Sequence, residues 1–193
     1  MIKIGIDLAT KSTGIVILDG NNEFIGQKLI LTKSYSEDNL IENTLIITKA
    51  INSFIETSLP IEKIENEEFV IGFEMNWNDS HFSLYMGLYI QPLIDALKFA
   101  KNIEFKVITA GTWQYKIGCV VKDKSIIRKE KAREFCFEKL GMRKTSWSND
   151  ITDAYCIAYL IDKIISPEKQ KKLFKEIKQW KKKTTSQNKK KKI

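Results

Sequence analysis

The order in which strand-like and helix-like segments follow one another limits this chain more than any other feature. Ile2, Ile4 and Ile6 alternate with Lys3, Gly5 and Asp7, the two-residue period of a strand with one buried face. Residues 13–18 continue as a second strand, Asp19-Gly20-Asn21-Asn22 turns the chain, and residues 24–31 form a third, which predicts an antiparallel meander. Leu40, Thr44, Ile47, Ile51, Phe54 and Ile55 then recur at helical spacing within 36–57, with Pro60 beyond the expected stop. A short apolar strand at 69–74 is followed by a helix over 80–100, a strand over 105–109, a glycine-punctuated region over 111–124, and helices over 125–140 and 149–165. Three strands, helix, strand, helix, strand, helices is the order of an α/β protein. The expected core is a five-stranded mixed sheet, its first three strands antiparallel and the later ones joined by crossovers, with helices packed on both faces.

A chain of 193 residues, 43% of them hydrophobic, is long enough for one such core. One domain over 1–166 is expected, followed by a Lys-rich tail over 167–193 that is helical first and disordered after about residue 183. Charge separates the two. Twelve lysines and two glutamates fall within 167–193, so this segment carries +10 while the preceding 166 residues sum to −2. A tail of that kind suits a polyanion, through phosphate neutralisation and counterion release. No run approaches the roughly 18 to 20 apolar residues that cross a bilayer, and the start leads directly into a strand with no cleavable signal pattern. A cytoplasmic protein without membrane contact is expected. Cys119, Cys136 and Cys156 are odd in number, far apart and without a CxxC pair, which argues for reduced, buried thiols and against a zinc site.

Four acids stand at positions where carboxylates carry chemistry. Asp7 ends the first strand with Gly5 two residues before it on the same face, and Glu74 ends the fourth strand with Gly72 at the same interval. With no side chain on the nearest same-side neighbour, each acid is expected to face open space that a metal or a phosphate could enter. Asp150 and Asp153 lie three apart at the start of the last helix, along one border of the stripe Ile151, Ala154, Tyr155, Ala158 and Ile161. With His81 as the single histidine, this donor set favours Mg²⁺ or Mn²⁺. Two such ions roughly 4 Å apart support phosphodiester hydrolysis without a protein nucleophile.

In IGIDLATKSTG (4–14), VIGFEMNW (70–77) and SNDITDAYCIAY (148–159) the sequence resembles the RuvC-type Holliday junction resolvases, over roughly residues 1–165. The resemblance implies a ribonuclease H-like fold, a homodimer, two Mg²⁺ or Mn²⁺ ions per site with no small-molecule cofactor, and nicking of four-way or otherwise branched DNA. Position by position it implies Asp7, Glu74, Asp150 and Asp153 as metal ligands, and Lys131 of RKEKAREF as a basic residue at the active site. It also implies Trp77 as an aromatic stacking on bases at the opened crossover. Lys11, Lys116, Lys122, Lys124 and Arg128 are the further side chains expected on DNA, while Trp113 and Tyr115 are assigned to the core. The compact, Lys/Asn/Ile-rich composition is similar to that of phage members of the family, whose setting would be the host cytoplasm.

Three other readings use the same residues. A ribonuclease H-type enzyme cutting RNA–DNA hybrids shares the metal chemistry. DLATKSTG resembles the phosphate loop of actin-like and sugar-kinase-like ATPases, which need two such domains where this chain has room for one. A non-catalytic DNA-binding protein would keep the fold and use its tail, but the presence of all four acids argues against decay of the site.

Overall fold

The computed structural model describes residues 1–8, 11–33, 37–74, 86–120, 122–141 and 147–163. Its centre is a five-stranded sheet of β1 (Ile2–Asp7), β2 (Ser12–Asp19), β3 (Phe24–Leu31), β4 (Glu68–Glu74) and β5 (Asn102–Ile108), in the order β3-β2-β1-β4-β5. β1–β2 and β2–β3 pair antiparallel, while β4 joins β1, and β5 joins β4, in parallel. The meander and the mixed sheet are as the sequence predicts. β5 begins three residues before the expected start, because an edge strand with polar residues such as Asn102 and Glu104 shows little hydrophobic pattern.

The described helices are α1 (Leu40–Ser58), α2 (Ile61–Asn66), α3 (Gln91–Ala96), α4 (Ala110–Lys116), α5 (Ser125–Leu140) and α6 (Asn149–Leu160). Two of them had no sequence prediction. Pro60 does stop α1, but it also occupies the N-cap of α2, where its fixed φ starts a new helix. α4 lies in the region read as glycine-punctuated, and its Gly111 falls in the first turn, where no helical partner is lost. Of the helix expected over 80–100, residues 80–85 lie outside the described residues, and α3 is preceded by a π-helical turn at Met86–Ile90. Pro92 explains that widening, since it has no N–H with which to close a regular turn.

Helices cover both faces of the sheet. On one, Ile2, Ile4, Ile6, Ile15, Ile17, Phe69, Ile71 and Phe73 pack against Ile47, Ile51, Phe54 and Ile55 of α1 and Leu93 of α3. On the other, Val16, Leu18 and Val70 meet α6 through Ile151, Ala154, Tyr155, Ile157 and Ala158, with Ala132 and Cys136 of α5 behind them. Each fully buried aliphatic or aromatic side chain contributes about 1.5–3 kcal/mol. Lys3 lies on the α6 face, only 2% exposed, where it pairs with Asp162 and donates to Asn22 Oδ1 at 3.0 Å. All three cysteines are free and buried. Among the described residues no helix is long and apolar enough to cross a membrane.

Candidate functional site

β1 and β4 run parallel with Ile6 opposite Phe73, so Asp7 and Glu74 are the next residues at the same ends of adjacent strands. Both lie on the α6 side, as their companion glycines demonstrate. A Cβ built at Gly5 would overlap the Ala154 carbonyl oxygen and stand 2.5 Å from the Ala158 nitrogen. One at Gly72 would meet Ile161 Cδ1 at 2.7 Å. Gly14, opposite Asp7 on β2, is equally closed: its Cβ would overlap the Asp150 carbonyl and lie 2.8 Å from the Ile151 nitrogen. This corrects the expectation that Gly5 and Gly72 leave open space for a ligand. At Gly5 and Gly14 the space is filled by the main chain of α6, which rests on the sheet because no side chain holds it off, and at Gly72 by the side chains of Ile157, Ile161 and Ile108. That contact carries the first turn of α6, with Asp150 and Asp153, to the strand ends bearing Asp7 and Glu74.

The start of α6 is fixed locally by Ser148, whose Oγ accepts from the Ile151 N–H at 3.3 Å. Two of the acids are oriented by side-chain donors. Ser12 Oγ donates to Asp150 Oδ2 at 2.5 Å, and the indole N–H of Trp113, in α4, donates to Glu74 Oε2 at 2.6 Å. Trp113 is 1% exposed, so this donor is delivered from the core.

The acids are near enough for their charges to act on one another. Burial pushes the Asp7 carboxyl well above the usual carboxylate range, and the charges of Asp153, Glu74 and Asp150 push it further, with Lys129 opposing. Asp153 is raised to about 7 by burial and then by Glu74 and Asp150, against Lys129 and Arg133. Glu74 is raised by burial and held back by the Trp113 hydrogen bond. One oxygen of Asp153, Oδ1, is buried without a hydrogen-bond partner. Leaving a buried acceptor in that condition costs about 1–3 kcal/mol.

As donors, four carboxylates with one orphaned oxygen fit a hard divalent cation. Their finished spacing is another matter: among the described residues no three acids, histidines or cysteines stand close enough together to hold an ion. Glu74 and Asp150 each give an oxygen to a protein donor.

The basic residues distribute unevenly. The ammonium of Lys131 donates to the Gly118 carbonyl and to Asp123 Oδ2, both at 2.8 Å, and so is engaged away from the four acids. Lys129 and Arg133 on the same helix are the cations whose charge reaches Asp153. Arg128 is half-buried and donates through Nη1 to Gln114 Oε1 at 3.3 Å. Lys11, Lys116, Lys122 and Lys124 are exposed. Trp77, His81 and the Lys-rich tail lie outside the described residues. Trp113 is in the core as expected, whereas Tyr115 is 75% exposed. Two residues apart on a helix is roughly 200° of rotation, so one cannot be buried as the other is. Ser12, Trp113, Lys129 and Arg133 were not assigned to the site from sequence. Lys129 had a readable signal, since Lys129, Ala132 and Cys136 fall at i, i+3 and i+7, one stripe of α5 with its two buried residues.

No family model matches the chain. It is 31% identical over 182 residues to an uncharacterized protein of Ureaplasma parvum serovar 3, UU157, with 89% of this chain and 75% of that protein covered. Among solved structures it is similar to Thermus thermophilus RuvC in complex with a Holliday junction substrate, at a TM-score of 0.57 and 13% identity over 82% of this chain and 90% of that one. A second T. thermophilus RuvC structure gives a TM-score of 0.51 and 11% identity over 82% and 91%. At such identities the likeness speaks for the fold, which is the ribonuclease H-like α/β arrangement of a five-stranded mixed sheet between helices. The chain therefore belongs to the same family as Ureaplasma parvum UU157, and it shares the fold of Thermus thermophilus RuvC.

Proposed function

We propose that this protein is a Mg²⁺- or Mn²⁺-dependent endonuclease acting on four-way and other branched DNA. The observation that supports the reading is that Asp7 and Glu74 end adjacent strands beside the first turn of α6, which bears Asp150 and Asp153, near enough for the other three charges to act on Asp7. Burying four mutually repelling carboxylates opposes folding, and such an arrangement is retained where a cation offsets it. The similarity to RuvC, described with a Holliday junction substrate, supports branched DNA as the substrate class.

In this reading Asp7, Glu74, Asp150 and Asp153 would hold a pair of divalent ions, whose chemistry would be to lower the pKa of water and to offset negative charge on the departing oxygen. The protein does the rest. Trp113 and Ser12 fix the carboxylates of Glu74 and Asp150, and the packing of α6 on the glycines of the sheet fixes the distance between the strand and helix acids. Lys129 and Arg133 supply positive charge that draws the DNA backbone toward the site. Lys11, Lys116, Lys122 and Lys124 would contact phosphates further out, Trp77 would stack on a base at the branch point, and the tail would add salt-sensitive affinity. Cutting two strands of a junction needs two such sites, so the proposal includes a homodimer.

The test is incubation with Mg²⁺ or Mn²⁺ of labelled four-way junction, fork, flap, linear duplex and RNA–DNA hybrid. Cleavage of the branched DNAs, lost in Asp7→Asn with junction binding retained, is the expected result. Cleavage of the hybrid alone would move the assignment to a ribonuclease H activity, and full activity of Asp7→Asn would refute the site.

A further inference from the structure

On the α1 side of the sheet a groove of about 480 Å³ opens between α1, α2 and the segment that leads from α3 into β5. Leu59, Ile61 and Ile64 precede β4 and Phe99 precedes β5, so the groove lies where these strands begin, whereas Asp7 and Glu74 stand where β1 and β4 end. Its floor is apolar: Ile55 and Leu59 are each 1% exposed and Ile64 4%. Its rim leaves two large apolar side chains in water, Ile61 at 48% and Phe99 at 55% exposure. Single apolar residues on a surface are ordinary, but two of them flanking an apolar groove of this volume mark a surface that a partner covers. The charge around it is mainly negative. Glu56 and Asp95 line the groove, and five glutamates stand against one lysine between residues 56 and 68. Lys98, the one basic residue of the described lining, is turned onto the Phe99 ring, 4.9 Å from its centroid.

The C-terminal segment of the chain answers both properties. Within 168–183, Leu173, Phe174, Ile177 and Trp180 fall at the spacing of one helical face, and the remaining positions include eight lysines. Ser166, Pro167 and Glu168 in that order are the signature of a helix start. The segment also has the reach. Asp162 pairs with Lys3, the second residue of β1, so the chain leaves α6 toward the end of the sheet where the groove lies. Leu173 is ten positions beyond Lys163, the last described residue, and ten residues span up to about 33 Å. Two layer spacings of about 10 Å each separate α6 from α1 across the sheet. We propose that this groove is the docking site of the chain's own segment 168–183, with its apolar stripe seated against α1 and α2 and its lysines against the surrounding glutamates. Tethering selects this occupant: a short linker gives the segment an effective concentration in the millimolar range at the groove, which a second copy or a foreign helix would have to exceed. Lys189, Lys190, Lys191 and Lys192 lie beyond the docked stretch and stay available to a polyanion. The inference stands apart from the nuclease reading, since it uses neither the four acids nor DNA.

The experiment applies zero-length carbodiimide cross-linking, which joins a lysine to a carboxylate only where the two touch, to the full chain. Mass spectrometry on a mixture of isotope-labelled and unlabelled protein separates links within one chain from links between chains. Lysines of 169–183 are expected to join Glu56, Glu62, Glu65 or Asp95 within one chain. Ile177→Asn and Ile61→Asn alter opposite sides of the contact without changing charge, and each should lower the yield of those links about fivefold. Ile177→Asn lies outside the folded domain, so it should leave the thermal melt of that domain intact while raising amide exchange across residues 55–64. Unchanged links in Ile177→Asn would show attraction between charges without an apolar seat and overturn the proposal. Links found only between chains would overturn it in favour of a second copy as the occupant, and a parent protein in which these lysines join none of the four acids would overturn it outright.

Discussion

The two faces of the sheet are built on opposite rules. Toward α1 the strands present large branched and aromatic side chains, and the helix is held at a distance by Ile4, Ile6, Ile71, Phe73 and their partners. Toward α6 they present Gly5 and Gly14, where the helix answers with its own backbone at Ala154, Ala158 and Asp150, so main chain approaches main chain, while Gly72 is covered by the side chains of Ile157 and Ile161. The first face buries the larger set of branched and aromatic side chains in one cluster. The second gives up side-chain burial for proximity, and the four acids stand at its open end. Stability and placement of the candidate site are thus assigned to different sides of the same strands.

Neighbouring residues of β1 put this contrast to its sharpest test. Gly5→Ala should cost at least about 3 kcal/mol and remove divalent-metal binding, because the added methyl meets backbone that cannot rotate away; urea unfolding and Mn²⁺ titration would read both effects. Ile4→Ala, one residue along and on the other face, should cost about 2–5 kcal/mol in urea and leave Mn²⁺ affinity within about twofold, since only a cavity is created far from the acids. If Ile4→Ala removed metal binding as thoroughly as Gly5→Ala, the division of labour between faces would be wrong.

Asp153→Asn is expected to act in the opposite direction. In the folded, metal-free protein this carboxyl keeps its proton up to about pH 7, whereas the unfolded chain loses it from about pH 4. The unfolded state binds fewer protons through that window, so the stability of the parent falls as pH rises from about 4 to 7. Asn carries no such penalty. The variant should match the parent near pH 4 and exceed it by about 1–3 kcal/mol at pH 8 without metal, and Mg²⁺ should raise the melting temperature of the parent only. A variant less stable than the parent at pH 8 would show that the carboxylates do not strain this fold. The smallest effect is expected for Ser12→Ala, which removes one donor to Asp150 and should cost about 0.5–1.5 kcal/mol or less, with a several-fold loss of Mn²⁺ affinity in calorimetry.

The parts of this molecule that the sequence discloses are those governed by local periodicity. β1, β2 and β3 follow from alternation and from the turn at residues 19–22, and the four acids follow from strand ends and a helix border. What stayed hidden depends on which neighbour fills a space. Gly5 and Gly72 read as gaps for a ligand until the helix lying in them is seen. Lys131 and Lys129 are equivalent in composition, and only the packing of Ala132 and Cys136 turns one toward Asp153 and the other toward Asp123. Trp113 reads as a core residue, which it is, but its hydrogen bond to Glu74 depends on a helix, α4, that has no marked pattern of its own.

A joint in which backbone rests on backbone contains no rotamers, and this bears on how the acid cluster answers to change elsewhere. Side chains in the aliphatic layer can shift and compensate for one another, so disturbances there die out within a few residues. The glycine–alanine seam has a single seating for α6, and any slide or tilt of that helix would carry both of its aspartates together as one rigid part. The distance between the helix acids and the strand acids is consequently a property of the peptide framework, and it should drift little as the rest of the interior is repacked.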